Sequence, residues 1–230
     1  VKVKVVIPAS GAGVRLGGDI PKQFLEIDGE PVLKRTLAVF NALEITEEIA
    51  VAVPTKYLHT VESYGFSKLR HIVPGGENRA ESVFAALNCF AKVCPASINP
   101  GQIILIHDGI RPFVSHEIIT NVAAAAAKYG AAVACTRVTD TIKQADSHGK
   151  IKHTPPRETL WQAQTPQGFT YEIIRRAYET AAAENRLSQA TDDSALAEAL
   201  GIGVQIVESS PANIKITTQT DLKIAEAMLK

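Results

Sequence analysis

Val3-Lys4-Val5-Val6-Ile7-Pro8-Ala9-Ser10-Gly11-Ala12-Gly13-Val14-Arg15 is the stretch on which the reading of the whole chain turns. Val3 to Ile7 has the β-branched composition of a buried strand. It empties into Pro, Ala, Ser and Gly, where small residues let the backbone turn tightly and approach a ligand. A first strand running into such a loop is how an α/β sheet begins, so the next question is whether strands and helices go on alternating.

They do. Pro31 to Leu43 reads as a helix with proline at its start, and Ile49 to Val53 as a second strand closed by Pro54. Leu69 to Val73 predicts a strand, and Asn78 to Phe90 a helix with Val83, Phe84, Leu87 and Phe90 on one face. Ile103 to Ile106 is a short strand ending in His107-Asp108, which puts an acid where open α/β sheets place ligands. Glu117 to Tyr129, Tyr171 to Glu184, Asp192 to Leu200 and Asp221 to Leu229 read as helices; Ala131 to Arg137, Gly203 to Val207 and Ile214 to Thr217 read as strands. The expected fold is therefore α/β with a mostly parallel sheet.

Between about Arg137 and Trp161 the pattern changes. Thr139 to Gln144 and Lys150 to Thr154 predict a hairpin about Asp146-Ser147-His148-Gly149, too polar to join the core. With no repeat or linker elsewhere, the simplest organisation is one domain over residues 1–230 with 137–161 as an arm.

Composition narrows the function. The chain has 46% hydrophobic and 21% charged residues, a globular balance, and no apolar run long enough for a membrane span. Its formal charge is zero, which supplies no electrostatic footprint for nucleic acid. The apolar start lacks a basic leader and cleavage site, and the three cysteines form no C-x-x-C pair, so a cytoplasmic protein without disulfides or a zinc knuckle is expected. Functional positive charge must be local, and Arg15, Lys22, Arg79, Arg111, Arg157 and Lys215 stand in loops or beside Gly and Pro.

Three ligand readings compete for the first loop. A Walker A loop requires Gly-Lys-Ser or Gly-Lys-Thr, which is absent. A dinucleotide fingerprint has Leu16 at its third glycine position, and Gly17, Gly18 and Pro21 forbid the long helix it would open. A backbone nest remains, with N–H groups of Ala9 to Gly13 on phosphate oxygens and Arg15 and Lys22 adding charge. A tight turn without ligand also fits the glycines alone. Asp108 could equally be a turn cap, Arg157 a solvated hairpin charge, and Lys215 a lysine facing solvent between Ile214 and Ile216.

The motif Ala9-Ser10-Gly11-Ala12-Gly13-x-Arg15 followed by Pro21-Lys22-Gln23-Phe24-Leu25 resembles the sugar-nucleotide and polyol-phosphate nucleotidyltransferases. Within them it is similar to the 2-C-methyl-D-erythritol 4-phosphate cytidylyltransferases. Gly75 to Val83, His107 to Pro112, Asp140 to Lys143, Arg157 with Leu160 to Gln167, Thr191 to Ser194 and Asn213 to Thr217 match in order. Glu77 stands where Asp is common, and Gly109-Ile110 replaces the usual small pair, so only fine geometry is affected.

The resemblance implies a three-layer Rossmann-like fold of the nucleotide-diphospho-sugar transferase type, with a projecting β-hairpin arm. It implies cytidylyl transfer from CTP to the polyol phosphate of the non-mevalonate isoprenoid pathway, with ribitol 5-phosphate as the alternative acceptor. Arg15, Lys22, Arg157 and Lys215 would be catalytic; Ala9, Ser10, Gly11, Gly76, Glu77, Ser82 and Asp108 would bind the nucleotide. Asp108, Arg111, Thr141, Arg157, Thr165, Thr191 and Lys215 would take the polyol phosphate, and Asp108 would lie near a Mg²⁺ ion. The arm would embrace a second subunit in a homodimer, where Thr141 and Arg157 serve the partner's site.

Overall fold

A computed structural model describes residues 1–11, 20–93 and 99–230, the side chains of 92 and 93 excepted. Arg15, the second half of the glycine turn and Cys94 lie outside the described residues. In chain order the strands are β1 (Val3–Pro8), β2 (Glu26–Ile27), β3 (Glu30–Pro31), β4 (Thr46–Val53), β5 (Leu69–Pro74), β6 (Ile103–Ile106), β7 (Ala131–Arg137), β8 (Gln144–Ala145), β9 (Ile151–His153), β10 (Trp161–Thr170) and β11 (Gln205–Glu208). The helices are α1 (Val32–Ala42), α2 (Leu58–Glu62), α3 (Arg79–Val93), α4 (His116–Tyr129), α5 (Tyr171–Ala183), α6 (Asp193–Glu198) and α7 (Gln219–Ala227).

Seven strands form one sheet in the order β11-β7-β10-β6-β1-β4-β5. All neighbours are parallel except β10, which runs antiparallel to both β6 and β7. Alternation along β1 explains the layers. Val3, Val5 and Ile7 pack with α1 and α4, through Leu33, Leu37, Phe40, Ile119 and Val122. Val6 turns the other way, towards Val83 and Leu87 of α3, Ile174 and Tyr178 of α5 and Leu196 of α6. Each face of the sheet is thus sealed by helices, which is the three-layer arrangement expected.

Strand β1 lies between β4 and β6, and the connections leave it in opposite directions. This is the switch point beyond which open α/β sheets hold their ligands. Pro8-Ala9-Ser10 and His107-Asp108 emerge there side by side.

Several elements differ from the sequence expectation. The stretch Trp161 to Thr170 is a central strand, unexpected because Pro166 removes a ladder donor. The ladder accommodates it with an irregularity between Ala163 and Gln167, and Gly168 lets the strand lie against Ala126 and Val122 of α4. Conversely, Ile214 to Thr217 is not a strand. It is an extended segment held by Ile216 N–H on Ile110 O at 2.9 Å, with Ile216 buried beside Ile27, Ile110 and Ala225. The hairpin of β8 and β9 is shorter than expected and pairs only with itself.

Candidate active site

The end of β1 is anchored before any charge is considered. Ala9 N–H donates to Ala52 O at 2.7 Å, and the buried Gln23 amide donates to Ala9 O at 2.6 Å. Phe24 stacks on Tyr57 with centroids 3.8 Å apart, so the chain is fixed at the two residues that follow Lys22.

The second loop closes on the first through serines. Ser82 Oγ donates to Asn78 O at 2.8 Å, so it must accept the Gly76 N–H at 3.1 Å and the hydroxyl of Ser10 at 2.5 Å. Asn78 and Glu81 cap α3 reciprocally: Asn78 Oδ1 accepts Glu81 N–H, and Glu81 accepts from Glu77 N–H and Asn78 Nδ2. Between the loops lies a cavity of about 370 Å³ lined by Ala9, Ser10, Gly11, Lys22, Gly76, Glu77 and Asp108, among others. Six nucleotide-loop residues expected from sequence therefore share one space with Lys22; Ser82 supports it from beneath.

Asp108 is the electrostatic centre. Its Oδ1 accepts from Arg79 Nε at 2.9 Å, its Oδ2 pairs with Lys215 Nζ at 2.8 Å, and Arg111 Nε stands 3.7 Å away. Burial would raise the pKa of this carboxyl, but Arg79, Lys215 and Arg111 together hold it far below the usual carboxylate range. Burial also lowers the Arg111 pKa, partly offset by Asp108; an arginine stays charged regardless.

Behind Asp108 runs a chain of defined polarity. His107 Nε2 lies 3.1 Å from Arg111 O, which can only accept, so Nε2 carries the proton and Nδ1 is an acceptor. Thr165 Oγ1 therefore donates to His107 Nδ1 and accepts Asp108 N–H, both at 3.0 Å. Complete burial depresses the imidazole pKa to about 4, so it is neutral at working pH.

The irregularity in β10 also places Gln164, whose Oε1 accepts from Asn213 Nδ2 at 3.0 Å; the same amide donates to Thr165 O at 2.8 Å. Arg111 Nη1 donates to Asn213 O at 2.7 Å. These bonds bring the 213–216 segment across the sheet and aim Lys215 at Asp108, which is why this lysine does not simply face solvent.

A second cavity, about 300 Å³, lies on the other side of Asp108 and is lined by Arg111, Gln164, Thr165, Thr191 and Asp192. Arg79, Asp108 and Lys215 border both cavities. Thr165, expected to touch substrate, spends its proton on His107 and is 3% exposed. Thr141 and Arg157 border neither cavity; both are on the exposed arm, where Arg157 donates to Thr139 O. In the sequence Arg79 is a loop cation without an evident role, and nothing there marks Asp193, Gln23 or Asn213 as functional. Asp193 sits in an acid pair opening a helix, which a cap alone would explain.

The family model described as 2-C-methyl-D-erythritol 4-phosphate cytidylyltransferase (IspD) matches residues 3–230. The chain belongs to this family. The cytidylyltransferase of that name from Geotalea uraniireducens is 44% identical over 235 residues, covering 100% of this chain and 97% of that one. That from Geobacter metallireducens is 42% identical, covering 99% and 97%. The crystal structure of the Francisella tularensis protein superposes with a TM-score of 0.83 at 30% identity, covering 99% of each chain. The 4-diphosphocytidyl-2C-methyl-D-erythritol synthase of Anaerococcus prevotii gives 0.84 at 29%, covering 99% and 96%. Family members are cytidylyltransferases, and the superpositions show that these neighbours share the fold described above.

Proposed function

We propose that this chain transfers the cytidylyl group of CTP to 2-C-methyl-D-erythritol 4-phosphate and releases pyrophosphate. The observation carrying the reading is the wall of Arg79, Asp108 and Lys215 between two cavities, one beneath the glycine loop and one beneath β10. Family membership favours this acceptor over ribitol 5-phosphate.

The reaction joins two anions. An oxygen of the acceptor phosphate attacks the α-phosphorus of CTP in line, the bond from that phosphorus to the bridging oxygen breaks, and pyrophosphate leaves with its electron pair. A phosphate monoester, with a second pKa of about 6, is largely dianionic near neutrality, so the nucleophile requires no base. Asp108 is unsuited to be one, because Arg79, Lys215 and Arg111 depress its affinity for a proton. Positioning and cationic stabilisation must then supply the rate. In this assignment Lys22 and Arg15 hold the triphosphate with the N–H groups of the first loop, and Glu77, Gly76 and the serine pair shape the base and ribose site. Lys215, Arg111 and Thr191 hold the acceptor, while Thr165 works through Asp108 and His107.

Mg²⁺ would enter with the triphosphate. Asp108 is a single carboxylate whose oxygens already accept from Arg79 and Lys215. It would fit an ion held chiefly by phosphate and water better than a site built by the protein.

Thr141 and Arg157 complete the acceptor site in this reading by crossing to a second subunit on the 137–161 arm, one homodimer providing two sites. Ile142 and Ile151, 38% and 59% exposed in the single chain, would be covered there. No helix among the described residues is long and apolar enough to cross a membrane, and a cytoplasmic location suits the substrates. Pyrophosphate release measured with CTP and each polyol phosphate tests the assignment; faster turnover with ribitol 5-phosphate would overturn the acceptor.

A further inference from the structure

Arg79 is the first residue of α3 and spends its whole guanidinium on two carboxylates. Nη1 and Nη2 grip Asp193 Oδ1 and Oδ2 at 3.0 and 2.8 Å, while Nε holds Asp108 Oδ1. Burial works against the charge of Arg79, but Asp193 and Asp108 outweigh it and raise its pKa well above the ordinary value. Asp193 is fully buried at the start of α6 and also accepts from the hydroxyl of the buried Tyr178 at 2.5 Å. A buried carboxylate stripped of its cation is strongly unfavourable, so Arg79 cannot swing away from Asp193 without loss.

Three elements thereby meet at one side chain: the start of α3 below the nucleotide loop, the end of β6, and the start of α6 beside Thr191. The cap of α6 is tied in as well, since Asp192 accepts from Ala195 N–H and from Gln167 Nε2, both at 2.9 Å. With Oδ1 of Asp108 committed to Arg79, Oδ2 is the oxygen left to Lys215. We propose that Arg79, backed by Asp193, is a positioning residue that locks the wall between the cavities and fixes the angle at which Asp108 presents Lys215 to the acceptor phosphate. This rests on the cytidylyl-transfer reading. Asp193 borders neither cavity, so it acts only through Arg79 and the α6 start.

The test uses the full chain with Asp193→Asn, Arg79→Lys and the double variant, following pyrophosphate release. An ammonium cannot reproduce the fork on Asp193 together with the Asp108 contact. For Asp193→Asn the acceptor KM is expected to rise on the order of tenfold, with the KM for CTP changed less than about threefold. A merely smaller folded fraction would leave both KM values alone. The double variant is expected to be no worse than the poorer single one, because both remove the same lock. Parental KM values in Asp193→Asn, or losses that multiply in the double variant, would overturn the inference; if Arg79→Lys does not fold, Asp193→Asn decides. A parental chain inactive with CTP and either polyol phosphate would overturn the site reading and this inference with it, whereas an active parent with unaffected variants overturns the inference alone.

Discussion

Gly75 lies so close to Ser10 that a Cβ built on it would stand 2.1 Å from the serine's Cβ and 3.0 Å from Ser82 Oγ. The nucleotide loops of β1 and β5 therefore meet backbone against side-chain root, with no room for a methyl group. Gly75→Ala must push the loops apart; we expect a stability loss of about 1 to 3 kcal/mol, as for overpacking. The KM for CTP should rise by roughly tenfold or more, since small misplacements at a reacting centre are expensive. Equilibrium urea unfolding and initial rates check this, and a CTP KM at the parental value would contradict the contact.

That glycine also illustrates what could be read beforehand. Strands β1, β4 and β6 were legible because parallel strands buried on both faces are continuous Val and Ile runs, and Pro and Gly mark their ends. Strand β10 was not, because Pro166 disguises it and its partners are distant in sequence. The site residues within one loop were legible as motifs. Arg79 with Asp193, and Asn213 with Gln164, were not: they are separated by 114 and 49 positions, and nothing local to either residue announces its partner.

Lys22→Ala and Arg15→Ala should each slow turnover by orders of magnitude while leaving the melting transition in place. Lys22 borders the nucleotide cavity, and Gln23 and Phe24 fix the chain immediately after it. Charge placed where the transition state develops it is commonly worth about 10²–10³ in rate per donor. Steady-state rates beside thermal unfolding make the comparison; near-parental turnover in both variants would refute the triphosphate assignment.

His107 gives stability a pH dependence of known sign. The folded-state pKa is about 4, whereas an unfolded histidine titrates near 6.5. Between those values the unfolded chain binds the extra proton, so the contribution is fully present above about 6.5 and is lost as pH falls, at about 1.4 kcal/mol per unit. His71, also lowered by burial and by Lys4, acts in the same direction, so the parent must be compared with His107→Gln. The parent should lose stability more steeply than the variant from pH 6.5 to 4; parallel curves would exclude the buried neutral imidazole.

The arm makes the sharpest demand on the proposed dimer. If Arg157 serves the partner's site, Arg157→Ala and Lys22→Ala chains each form homodimers with two defective sites. A mixed dimer is different: both defects fall in one site, where the Lys22→Ala chain supplies the loops and the Arg157→Ala chain the arm, and the other site is intact. Random exchange makes about half of the dimers mixed, each with one good site in two, so an equal mixture should recover about a quarter of parental activity. If Arg157 instead folds back onto its own chain's site, every site in every dimer carries a defect and mixing recovers nothing. Sedimentation on the same samples supplies the second arm of the test, because a fully active monomer at assay concentration would leave the exposed hairpin, and Ile142 and Ile151 on it, without the role assigned here.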